Sequence, residues 1–155
     1  FARIYASEYF YNHHGVAEFL KLLVTDTSKT QFLFRINKGK ENLTETINEH
    51  MPEEERPIPF ANIIYVGDGL TDVPCMTVAK KNGGHAVAVY KPNTPKSRET
   101  CKALLIARRV DFMAPADYSA GKVLMQRVKL LLDSVIANIE YQRELYVCKR
   151  DQGIL

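Results

Sequence analysis

Two aspartates, Asp68 and Asp72, stand at i and i+4 in the stretch "IIYVGDGLTD" (63–72), and Gly67 and Gly69 flank the first of them. An apolar run leads into the pair, so the stretch reads as a buried strand that ends by presenting negative charge. Neighbouring carboxylates repel unless a cation or a proton lies between them. A hard ion such as Mg²⁺ suits them, because it prefers oxygen ligands, keeps several waters and is commonly held by one or two carboxylates plus a substrate phosphate. The glycines permit tight backbone and close approach of a ligand. The plainer reading is a turn in which Asp72 caps the next helix.

The elements that must position these residues follow from the pattern around them. "RIYASEYFYN", the turn "HHG" and "VAEFLKLLVT" predict a hairpin. "TSKTQFLFRINKG" changes to a helical period, with Phe32, Leu33 and Ile36 on one face, Thr27 or Ser28 as N-cap and Gly39 as C-cap. Residues 40–59 are polar and hold Pro52, Pro57 and Pro59; they predict a short helix over "NLTETINEHM" and then a loop, with "MPEEERP" as a solvated acidic stretch.

From residue 60 onward, strands and helices alternate. The strand "ANIIYVGDG" leads into the helix "TDVPCMTVAKKNGG", with Asp72 as cap, Pro74 in the first turn and Gly83 at the end. "HAVAVY" is a strand, "SRETCKALLIARR" a helix, "VDFMAP" a strand, and "SAGKVLMQRVKLLLDSVIANIEYQRELYV" a long helix whose apolar stripe runs through Leu124, Val128, Leu131, Val135 and Ile139. This order predicts an α/β fold: a doubly wound parallel sheet with helices on both faces, after an N-terminal β-hairpin. Ligands meet such sheets outside the carboxyl ends of the strands, which is where Asp68 and Asp72 fall.

"YVGDGLTD" resembles the fourth sequence motif of the haloacid dehalogenase (HAD) superfamily, a G-D-x-x-x-D that ends a central strand. The helices and strands that follow, through "VDFMAPADY", resemble the second half of that family's Rossmann-like domain. "SKTQFLFRINKG" resembles the third motif, a Lys at the start of a helix, and "RIYASEYFYNHHG" the hairpin that precedes it in phosphoserine-phosphatase-like members. The resemblance implies a Mg²⁺-dependent phosphatase acting on a small phosphorylated substrate. It makes Asp68 a direct metal ligand and Asp72 a support through water or a hydrogen bond. It assigns the phosphate to Gly69 and Thr71, where the most similar phosphatases often carry Asn at the latter position. Lys29 becomes the catalytic cation that neutralises nucleophile and phosphate, with Lys38 as runner-up. Phosphoryl transfer depends mainly on such positioning and charge neutralisation.

The family's nucleophile is missing from this stretch. HAD phosphatases attack phosphorus with the first Asp of a D-x-D-x-[TV] motif, and no D-x-D occurs here. Asp26 in "VTDTSKT" follows an apolar run, but Ser28 holds the acid-base position. The span to Asp68 also falls short of the roughly 60 residues that another crossover and a second motif require. Asp26 is therefore expected to help cap the helix carrying Lys29. The chain opens at Phe1 directly on a strand-like segment, which leads to the expectation of a partial HAD-like core over 1–148, its first two motifs lying upstream, and a tail over 149–155.

Composition bounds the rest. A net charge of +3 with scattered Lys and Arg gives no reason to expect nucleic acid. No apolar run nears the roughly 20 residues that cross a bilayer, nor does the start read as a signal peptide, so no membrane partner and a cytoplasmic location are expected. Cys75, Cys101 and Cys148 have no metal-like spacing and are expected to be reduced. Cys75 is expected in the core, His13 and His14 in a solvated turn, His85 at a strand entrance, and Asp117 in a loop at the same sheet edge or at a helix start. The rival to catalysis is a non-enzymatic interaction domain, with the far end of the last helix pairing subunits as a homo-oligomer.

Overall fold

In the computed structural model, residues 3–154 are described, and the chain divides into two compact units, Phe1–Pro59 and Phe60–Leu155. The boundary falls inside the span expected to form one core.

The first unit opens with strands β1 (Glu8–Tyr11) and β2 (Ala17–Leu22), paired antiparallel as the alternating aromatic pattern predicts. The Asn12 side chain accepts the amides of His14 and Val16 and closes the turn, with Gly15 at φ 77°. Both faces of this ribbon leave aromatic surface exposed, including Tyr9, Phe10, Tyr11 and Phe19. Helix α1 (Lys29–Lys38) follows and ends at Gly39 in the left-handed conformation. Its start differs from expectation. Ser28 occupies the cap position without a side-chain cap bond; instead the Thr25 and Ser28 hydroxyls exchange hydrogen bonds with each other's backbone N–H, and Asp26 pairs with Lys29.

The helix expected over "NLTETINEHM" does not form. Arg35 donates to the carbonyls of Lys40, Asn42, Leu43 and Glu45, and Lys38 to those of Ile47 and Glu49. A helix would need those carbonyls for its own ladder. Two cations on α1 take them and fold the segment as a loop. Buried Asn37 then ties α1 to the end of the unit, its Nδ2 donating to the Ile58 carbonyl at 2.8 Å.

The second unit is a three-stranded parallel sheet flanked by helices, Rossmann-like in its coarse form. Its strands β3 (Ile64–Gly67), β4 (His85–Tyr90) and β5 (Phe112–Pro115) lie in the order β3-β4-β5. Helices α2 (Val73–Lys81) and α3 (Pro95–Ile106) connect them, and α4 (Val123–Asp151) follows β5. The central strand shows why both faces are covered. Ala86 and Ala88 pack with Met76 of α2 and with Cys101 and Leu104 of α3, whereas Val87 and Val89 pack with Leu124 and Leu131 of α4. Small residues admit two helices on one side and branched ones fill the other, with period two.

His85 opens β4 as expected. At the amino-terminal end of the sheet, Asp111 accepts from Lys80 and from the Ala86 amide. On α4 the apolar stripe is buried at Leu124, Leu131 and Val135, but Ile139 is 46% exposed. Beyond Val135 the helix leaves the sheet and runs on to Asp151, through the start of the expected tail. Among the described residues no helix is long and apolar enough to cross a membrane.

Candidate functional site at the tip of β3

The chain leaves β3 at Gly67, makes a 3-10 turn over Leu70–Asp72 and enters α2 at Val73. Asp72 is 5% exposed and occupies the cap position of α2, yet its side chain makes no cap bond. It reaches back instead. One oxygen, Oδ2, accepts the Asp68 amide at 3.0 Å, and Oδ1 accepts the Tyr65 hydroxyl at 2.7 Å. The Asp72 amide meets the Gly69 carbonyl at 3.2 Å, so residues 68–72 form a closed turn.

The two glycines have different reasons. A Cβ on Gly67 would stand 2.7 Å from Asp72 Cβ, Cγ and Oδ2, so only glycine lets the carboxylate lie across the strand end. Gly69 has φ −163°, extended backbone open to any residue, and nothing within 4 Å of a Cβ built there. Its value is the open space beside the chain, not the conformation.

Asp68 is exposed, and among the described residues its carboxylate has no hydrogen-bond or ion-pair partner. Its charge reaches the buried Cys101 thiol, which burial first and Asp68 second push above the ordinary thiol range. Burial, then the Asp72 hydrogen bond, also hold the Tyr65 phenol far above its usual range. Thr71 is exposed on the same turn, and Cys75 is fully buried behind it.

Asp68, Gly69, Thr71 and Asp72 therefore share one turn, while Lys29 belongs to the first unit. Lys29 is the first residue of α1, with its ammonium 3.4 Å from Asp26 Oδ1. The Lys38 ammonium is held by two carbonyls at 2.6 Å. Asp117 lies in a local turn: hydrogen bonds from the Ser119 hydroxyl first and the Ser119 amide second hold its carboxyl below the usual range. His13 and His14 sit in the hairpin turn, and among the described residues no group of three or more His, Cys, Asp or Glu could hold a metal.

For a hard cation the two carboxylates differ in what they offer. Asp68 fits that use, since its oxygens face solvent at a strand's carboxyl end; both oxygens of Asp72 are already engaged. Tyr65 was not singled out from the sequence. The signal was there: in a strand, 65 and 67 share a face, and a glycine at 67 leaves room for an acidic side chain that a phenol at 65 can reach.

No family model matches the chain, and no solved structure matches it. An uncharacterized protein of Borreliella burgdorferi is similar to it, 38% identical over 104 residues. That match takes in 65% of this chain and 34% of the relative, so the chain spans about a third of the length of the curated relative it matches.

Proposed function

We propose that this chain carries the cation-facing part of a HAD-type, Mg²⁺-dependent phosphatase acting on a small phosphate ester. The observation that supports it is the exposed Asp68 carboxylate, without a hydrogen-bond or ion-pair partner among the described residues, at the carboxyl end of a parallel strand on a turn held shut by Asp72. Bound Mg²⁺ would supply charge neutralisation for the phosphate. Asp68 holds the cation, and the open backbone beside Gly69 and the Thr71 hydroxyl receive the phosphate oxygens. Lys29 adds a positive charge to nucleophile and phosphate. No D-x-D occurs in these 155 residues, so on this reading the nucleophilic Asp and its acid-base partner would have to be supplied from outside them.

The test is phosphate release by the full-length protein that contains this chain. Release is expected to require Mg²⁺, to fall to background in Asp68→Ala, and to drop roughly 10²- to 10³-fold in kcat in Lys29→Ala. Metal-independent release, or full activity in Asp68→Ala, would sink the reading.

One observation favours the rival. Past Val135, α4 exposes Ile136, Ile139, Tyr141 and Tyr146, as a subunit-pairing helix would. Concentration-dependent dimerisation without any Mg²⁺ affinity would establish an interaction domain.

A further inference from the structure

We propose that Tyr65 is a positioning residue of this turn: its hydroxyl fixes the Asp72 carboxylate, and Asp72 fixes the backbone from which Asp68 is aimed. The final step, from aim to cation binding, rests on the function proposed above; the first two rest on geometry alone.

A carboxylate that is 5% exposed needs donors for its oxygens, because an unmet buried polar group costs more than an ordinary hydrogen bond contributes. Asp72 has two named donors, one on each oxygen: the Tyr65 hydroxyl at 2.7 Å and the Asp68 amide at 3.0 Å. With Oδ1 held, rotation of the carboxylate is stopped and Oδ2 stays on the Asp68 amide. The strand is built to allow this. Tyr65 and Gly67 lie on the face of β3 that meets α2, the Tyr65 ring packs against the core cluster that includes Met76 and Ala86, and the missing side chain at 67 is the gap through which Asp72 passes. An aliphatic residue at 65 would suit the core equally and could not reach Asp72. The phenol is neutral at any physiological pH, so it donates throughout.

Tyr65→Phe keeps the ring and removes the donor. In the full chain, Asp68 amide hydrogen exchange should quicken roughly ten-fold while amides in α3 keep their protection. Affinity for Mn²⁺, used as the probe, should fall roughly 10- to 100-fold. Asp72→Asn should loosen the same amide, and adding Tyr65→Phe to it should change little more, because the two residues act in series.

An Asp68 amide as protected in Tyr65→Phe as in the parent overturns the proposal, and so do additive effects in the double variant. If the parent binds Mn²⁺ no better than Asp68→Ala, the cation reading fails. The exchange rates still decide the role of Tyr65 in that case.

Discussion

Gly67 is the residue on which the turn depends most directly, and its reason is steric. A methyl group there would meet three atoms of Asp72 at 2.7 Å, and Asp72 cannot yield easily because both its oxygens are engaged. Gly67→Ala is expected to destabilise the fold by about 1–3 kcal/mol, as overpacking does, whereas Gly69→Ala is expected to leave stability within about 0.5 kcal/mol, as an open site allows. Urea denaturation of the two variants checks the contrast; equal losses would mean that Asp72 moves aside at little cost. From the sequence alone the two glycines looked alike, since "GDG" offers no sign of which one has a carboxylate against it.

At the scale of elements, the second unit was legible because its patterns are local. The short apolar run "HAVAVY", Pro74 in the first turn of α2 and Gly83 after its end each had one reading. The segment after α1 was not legible, because its fold is decided by two side chains on another element. Arg35 alone holds four carbonyls of the 40–45 loop. Arg35→Ala should release them at a cost of about 1.5–3 kcal/mol, the scale of a hydrogen bond to a charged group, and should speed proteolytic cleavage between 40 and 50. Cleavage at the parent rate would show that the loop holds itself. The caps failed for a similar reason: Asp72 and Ser28 stand at cap positions, but better partners lay within reach.

For the molecule as a whole, stability should decline on the alkaline side. Cys101 and Tyr65 both have raised pKa values when folded, against ordinary values of 9.0 and 10.0. Well below pH 9 both are protonated whether folded or unfolded, and their contribution to stability is at its full value. As the pH rises past those ordinary values, the unfolded chain sheds protons that the folded one keeps, so stability falls. Melting temperature followed from about pH 8 to 11 should drop in the parent and drop less in Cys101→Ala and Tyr65→Phe; parallel curves would show that neither group titrates late. Among the described residues β3 pairs only with β4, and Val66 on β3 is 37% exposed, so Asp68 stands at the margin of its sheet. A cation on that carboxylate and a strand laid along that edge would be neighbours. Linkage then requires that whatever factor the ion adds to the strand's affinity, the strand returns to the ion.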